Sequence, residues 1–345
     1  MKALKYILFL ILIIIIGFTI YIAVQPNFFE VKRSRTINAP AEVIYNNVID
    51  FKNWEAWSSW IEKNPETAIT LGEQTKGVGG FYSWVDKDGK GSMKTLATSE
   101  HISIDQELQF GDFEPSKIHW EFTPLEQRKT EVTWKMNSDK IPFMFKAYAL
   151  FSGGFDNMIA PDFERGLEKL DSIVIASMQV YSIKVDGITQ HGGGFYLYNT
   201  TSSKMDNFET VMQDMLSKVK SYALENNITT AGPPFVLYHN WDEPNNSVMF
   251  SSCVPTTAQV ITTESDILTG QLEPFKAIKT TLKGNYNHLK EAWQITMDYI
   301  PKNGYKYTEQ GPMLEVYVTD PTKTANPANW ITEIYIAVKE QESLQ

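Results

Sequence analysis

From Tyr6 to Val24 the chain runs for nineteen residues without a charge, with Ile11-Leu12-Ile13-Ile14-Ile15-Ile16 at its centre. At the helical rise this spans about 28 Å, close to the hydrocarbon thickness of a bilayer. An unbroken apolar run of this length is the pattern of a membrane-spanning helix, in which every backbone group is satisfied within the segment. Lys2 and Lys5 precede the run, which also suits a signal peptide. No small-x-small cleavage site follows, however: the end reads Tyr21-Ile22-Ala23-Val24-Gln25-Pro26, and the run is long for a signal core. The expectation is an uncleaved single-pass anchor placing residues 6–24 in the lipid bilayer, with a cleaved signal peptide as the alternative. Lys32, Arg33 and Arg35 on the far side nearly cancel Lys2 and Lys5 in positive-inside counting. Signal-anchor behaviour then puts the globular domains outside the cytoplasm.

The remaining chain is long enough for two ordinary domains. A formal net charge of -10 speaks against a nucleic-acid surface, which needs clustered Lys and Arg, and favours cationic or neutral ligands. Cys253 is the single cysteine, which excludes an intramolecular disulfide and a cysteine metal cluster. His101, His119, His191, His239 and His288 are scattered without ligand spacing. Neither a metal nor another cofactor is expected.

Residues 29–176 read as one α+β unit. A strand carrying Val31 and Ile37 leads to Asn38-Ala39-Pro40, where the proline opens a helix. Trp54, Trp57 and Trp60 follow at spacing three and are expected on one helical face, covering the core or, alternatively, lidding a ligand. Strands are predicted over 92–97, 101–110, 117–123 and 131–137, separated by turn signals such as Gly111-Asp112. A long amphipathic helix with Phe155, Ile159, Phe163, Leu167, Leu170 and Val174 closes the unit. Gly89-Lys90-Gly91-Ser92 lacks phosphate-loop spacing and is assigned to a hairpin. In Arg35-Thr36-Ile37-Asn38-Ala39-Pro40-Ala41-Glu42-Val43-Ile44-Tyr45, Asp50-Phe51 with Trp54 and Trp57, Gly91-Ser92 and Thr130-Glu131-Val132-Thr133-Trp134, the unit resembles the helix-grip family of START-like and Bet v 1-like (SRPBCC) proteins, in its bacterial polyketide-cyclase-like branch. That resemblance implies a hydrophobic cavity between sheet and closing helix, not a defined reaction.

Residues 177–345 hold an internal repeat. Gly232-Pro233-Pro234-Phe235-Val236-Leu237-Tyr238 corresponds to Gly311-Pro312-Met313-Leu314-Glu315-Val316-Tyr317 at an offset of 79. The same offset superposes a helix carrying Phe208, Met212, Met215, Val219 and Tyr222 on one carrying Tyr286, Leu289, Trp293, Met297 and Ile300. Each copy reads as strand, helix and two strands, and two copies side by side predict a pseudo-symmetric sheet with both helices on one side and a groove at the junction. In Gly284-Asn285-Tyr286, Gly311-Pro312 through Tyr317, and Trp330-Ile331-Thr332-Glu333-Ile334-Tyr335-Ile336, the unit resembles the GyrI-like domain, also known as an effector-binding domain. The resemblance implies a central pocket where aromatic and buried acidic side chains hold hydrophobic, often cationic molecules. By position Glu315, Glu333, Tyr335 and Tyr286 carry that role, with Tyr317 beside them and Trp293 and Trp330 as wall residues. Ala337 stands where the family commonly has proline. No helix-turn-helix module precedes the domain, so a DNA-binding role is not carried over.

Two strands, Leu314-Glu315-Val316-Tyr317-Val318 and Thr332-Glu333-Ile334-Tyr335-Ile336, thus each put a carboxylate two residues before a tyrosine. A carboxylate between apolar neighbours is costly unless solvated, paired or used. One reading is a solvated sheet face. The other is a shared acidic pocket, favoured because Val236 replaces Glu315 in the first half-repeat. Within one pocket the two carboxylates would raise each other's pKa, and a cation would relieve them. The same groups would also serve general acid–base catalysis, as in a hydrolase using Glu315 or Glu333, and the helix-grip cavity would suit a cyclase. His191-Gly192-Gly193-Gly194 looks like an esterase oxyanion loop, but no Gly-x-Ser-x-Gly elbow accompanies it, so it is assigned to a strand connection. The functional expectation is a membrane-anchored protein binding hydrophobic molecules, cationic ones included. Its rivals are an enzyme and a protein-interaction module at the membrane.

Overall fold

A computed structural model describes residues 2–87, 89–263, 266–308 and 311–340. The end of the expected second domain, 341–345, lies outside them. By contacts the chain divides into two compact units, Met1–Ser177 and Met178–Gln345.

In the first unit α1 (Lys2–Ala23) takes up the uncharged run as one helix, long and apolar enough to cross a membrane. Seven antiparallel strands follow: β1 (Phe29–Ile37), β2 (Ala68–Leu71), β3 (Phe81–Asp86), β4 (Gly89–Ser99), β5 (Ser103–Phe110), β6 (Ser116–Pro124) and β7 (Thr130–Ser138). They form one sheet in the order β1-β7-β6-β5-β4-β3-β2. Helices α2 (Ala41–Ile49), α3 (Trp54–Trp57) and α4 (Ser59–Lys63) lie between β1 and β2, and α5 (Phe143–Phe151) and α6 (Phe155–Met178) follow β7. The α6 periodicity read from the sequence is the buried face found, with Ile159, Phe163, Leu167, Leu170 and Val174 inward. Phe163 stacks on Trp134 of β7 at 4.1 Å between ring centroids. One turn on, Gly166 lets α6 approach this closely, since a Cβ there would stand 2.9 Å from the Trp134 ring.

The three tryptophans do not share one helix. Ser58 is extended (φ -64°, ψ 123°) and separates α3 from α4. Trp54 and Trp57 are fully buried against Trp120 and Trp134, and Trp60 meets Trp134 edge-on at 5.5 Å while also lining a cavity. The break at Ser58 brings the third ring to Trp134 from a second helix, where it also faces the cavity.

The second unit contains β8 (Ser182–His191), β9 (Gly194–Lys204), α7 (Phe208–Glu225), β10 (Phe235–Asp242), β11 (Ser247–Thr256), β12 (Leu268–Leu272), β13 (Phe275–Lys283), α8 (Leu289–Lys302), β14 (Tyr305–Tyr307), β15 (Met313–Tyr317) and β16 (Ile331–Glu340). The sheet order β12-β9-β11-β10-β15-β16-β13-β8 is a palindrome of the two repeats, since β9, β10 and β11 mirror β13, β15 and β16. Val236 of β10 lies directly opposite Glu315 of β15, the very pair that the 79-residue offset equates. The pseudo-twofold axis therefore passes through this pair, at the centre of the sheet.

The sheet also curls. β8 and β9 lie near its opposite ends, yet only Gly192 and Gly193 join them, so the ends stand within about 11 Å at the Cα spacing of the chain. Gly193 has φ +69°, and a Cβ there would come within 2.1 Å of the Leu272 carbonyl oxygen. Helices α7 and α8 cover one face through Met212, Ala292 and Ile300. The curl encloses the other, where Phe235, Leu237, Cys253, Leu314 and Val316 are buried.

Candidate functional site

Side chains alternate across a strand, and residues directly opposite on neighbouring strands share a face. Glu315 opposes Val236 and Ile334, and both belong to the helix-covered face. Glu333 opposes Val316, which faces the inside of the curl. The two carboxylates therefore lie on opposite sides of the sheet, and the expected single pocket holding both is not formed. Glu-x-Tyr repeats in adjacent antiparallel strands, but their register is offset by one residue, and a shift of one reverses the face.

Glu315 is 2 % exposed at the junction between α7 and α8. The Trp293 indole N–H of α8 donates to one of its carboxylate oxygens, and the Tyr317 hydroxyl donates to the other at 2.8 Å. Tyr238 of β10 completes the surround; its ring meets Trp293 edge-on at 5.4 Å. Burial pushes the Glu315 carboxyl above its ordinary value, opposed by the hydrogen bonds of Trp293, Tyr317 and Tyr238. Burial and the adjacent carboxylate raise the Tyr238 and Tyr317 hydroxyls. Among the described residues no lysine, arginine or histidine forms an ion pair with Glu315. Tyr286 stands edge-on to Tyr317 at 5.4 Å and 4.7 Å from Trp330, extending the aromatic wall. Trp241, about half exposed, lies 5.1 Å from Tyr238 and 6.3 Å from Trp293 and marks a rim at the surface.

On the curled face Glu333 accepts the Tyr335 hydroxyl at 2.7 Å and pairs with Lys279 Nζ at 2.7 Å. The Lys279 ammonium lies 5.7 Å from the Tyr335 ring centre. His191 stacks on Phe275 at 4.8 Å and meets Tyr335 edge-on at 5.0 Å. Burial lowers the His191 pKa while Glu333 opposes the shift. His191 and its glycines form the corner between β8 and β9, as the sequence indicated. Glu333 is thus a paired carboxylate, whereas Glu315 is an aromatic-caged one.

The first unit holds a cavity of about 690 Å³ between sheet and α6, as the helix-grip resemblance implied. Its wall is mainly aromatic and aliphatic, with Tyr82, Trp84, Phe110, Met136 and Ile159 prominent and Asp162 among the few polar groups. That volume suits a drug-sized or lipid-like molecule. Gly89, Lys90, Gly91 and Ser92 lie in the β3–β4 hairpin, where Gly91 accommodates the Trp84 ring.

Four contributing residues were not singled out from the sequence. Tyr238 was legible, because the 79-residue offset equates it with Tyr317. Lys279 carried a weaker signal, as one of three lysines in a β-prone strand. Phe145 and Tyr148 of α5, which also line the cavity, gave none, since an apolar stretch reads equally as core.

Residues 175–339 match the family described as GyrI-like small molecule binding domain, and residues 37–168 the family described as polyketide cyclase/dehydrase and lipid transport. Among curated proteins none matches the chain. Similar solved structures include the C-terminal domain of EcmrR, 18 % identical, covering 47 % of this chain and 99 % of that one with a TM-score of 0.40. The protein CV1439 of Chromobacterium violaceum is 17 % identical, covering 43 % and 98 % with a TM-score of 0.33. TTHA0849 of Thermus thermophilus is 18 % identical, covering 43 % and 98 % with a TM-score of 0.34. The chain thus joins a domain of the polyketide-cyclase and lipid-transport type to a GyrI-like small-molecule-binding domain.

Proposed function

We propose that this is a membrane-anchored protein that binds lipophilic cations in its GyrI-like unit, with Glu315 as the counter-charge and Tyr238, Tyr317, Tyr286 and Trp293 as the aromatic surround. The observation that carries the reading is a fully buried carboxylate enclosed by aromatic rings, with no cationic side chain paired to it among the described residues. Burial alone disfavours its ionised form, and a bound cation supplies the missing charge while each aromatic face adds about 0.5–2 kcal/mol once desolvated. Entry runs from the rim at Trp241, with Trp293 giving up its hydrogen bond to the ligand's charge. Anchoring is supported by α1 and by its packing on α5, where the Phe18 and Phe151 rings lie 5.5 Å apart.

Tryptophan-fluorescence titration of the full chain with a panel of lipophilic cations tests this. Glu315→Gln is expected to weaken binding by about 2 kcal/mol, near thirty-fold, the worth of a charged hydrogen-bonded contact. Glu333→Gln, on the other face, leaves it within about threefold. Equal affinity of wild type and Glu315→Gln defeats the proposal.

A second reading is favoured by the convergence of Tyr335 and Lys279 on Glu333. Such a set would make the curled face a hydrolytic site, with Glu333 as general base. Mass spectrometry of the same panel after incubation distinguishes the two. Turnover abolished by Glu333→Gln supports the enzyme, and unchanged compounds remove it.

A further inference from the structure

Helix α5 carries an exposed apolar stripe. Of its nine residues the single charged one, Lys146, is turned inward and only 6 % exposed. Met144, Tyr148 and Phe151 fall at i, i+4 and i+7 on one face and are 70 %, 63 % and 76 % exposed. A helix on a water-facing surface shows the reverse arrangement, with charges outside and apolar groups within.

What covers this stripe is indicated by α1. Lys146 Nζ donates to the Gln25 carbonyl at 2.7 Å, just beyond the last turn of α1, where the negative end of the helix dipole favours a cation. Phe151 meets Phe18 of α1, and Ile22 of α1 is buried. Val24 and Phe28, between α1 and β1, are themselves strongly exposed. The stripe therefore continues the apolar surface of α1 at the point where that helix leaves the hydrocarbon. A short amphipathic helix at this level buries its apolar face among headgroups and upper acyl chains.

We propose that α5 docks on the lipid bilayer, with Met144, Tyr148 and Phe151 inserted into its interfacial layer. The proposal rests on the reading of α1 as a retained membrane anchor. Its consequence concerns the cavity. Phe145, on the inner side of α5, packs against Phe113 at 4.9 Å, and Met144, Phe145 and Tyr148 all line the cavity. One helix is then both membrane contact and cavity wall, so an apolar ligand reaches the cavity past α5 from the membrane rather than through water.

The test uses the full chain reconstituted in phosphatidylcholine–phosphatidylglycerol vesicles carrying doxyl-labelled lipid. A bimane probe is placed singly at Met144→Cys, Tyr148→Cys, Ile13→Cys and Leu125→Cys. Unsubstituted protein serves as the blank, because Cys253 is fully buried. Ile13 reports the anchor. Leu125 follows β6 at the end of the sheet remote from α1, since Phe29 pairs with Ser138 and Ile37 with Thr130. Loss of emission at Met144 and Tyr148 comparable to that at Ile13, with none at Leu125, is expected. Quenching at Ile13 but not at the α5 positions overturns the docking of α5 and leaves the anchor standing. So does a blue-shifted but unquenched α5 probe, which means that protein and not lipid covers the stripe. Absence of quenching at Ile13 defeats the anchor, and the docking with it.

Discussion

Glu315 shows what burial does to a single carboxylate. Its two oxygens are engaged by Trp293 and Tyr317, yet desolvation outweighs these hydrogen bonds and its pKa lies above the ordinary value of 4.5. Because the folded state holds this proton more tightly than the unfolded chain, the group's stabilising contribution is complete below the unfolded value. It is lost as pH rises through the folded one. Carboxylates such as Glu62 and Asp156, held low by Arg165 and Arg33, titrate with the opposite sign, so the difference between wild type and variant isolates Glu315. Glu315→Gln is expected to gain stability relative to wild type as pH increases above about 4.5, read as a rising difference in urea midpoints. A lipophilic cation that binds at Glu315 should lower the pH at which the carboxyl ionises, and binding should tighten with pH over that range. A flat pH profile of affinity would place the charge elsewhere.

At the scale of elements, the corner between β8 and β9 decides what the second unit encloses. Gly193 has a left-handed backbone and no room for a Cβ beside Leu272, while Gly192 next to it faces open space. Gly193→Ala should therefore destabilise the fold by about 2 kcal/mol or more, whereas Gly192→Ala stays within about 0.5 kcal/mol, as measured by chemical denaturation. If both are neutral, the closure of the sheet does not depend on this corner. In the first unit α6 is held by the stack of Phe163 on Trp134 and by the close approach at Gly166. Phe163 is fully buried, so Phe163→Ala should cost about 3–5 kcal/mol of stability.

At the scale of the whole molecule, the chain couples two ligand-binding domain types to a helix that fits a bilayer. If α1 is retained, the protein isolated from membranes still contains the α1 residues by mass spectrometry and resists extraction by alkaline carbonate. A product shortened by the length of α1 and released to the soluble fraction would identify a signal sequence instead. A cleaved chain would lack the contact of Phe151 with Phe18 of α1.

The uncharged helix, the closing helix of the first unit and the two-repeat plan of the second are legible in the chain, because each is written in local periodicity or in self-similarity. Glu315 also stands out there, since a carboxylate where the other copy has Val236 is visible without coordinates. The sequence left open which residues meet. Glu315 and Glu333 share a motif, but the antiparallel register sends them to opposite faces. Trp60 reaches Trp134 from a second helix, beyond one extended residue, and α5 becomes a cavity wall by packing Phe145 against Phe110 and Phe113. Pairing register and long-range packing depend on contacts between residues far apart in the chain, so they emerge only in the folded molecule.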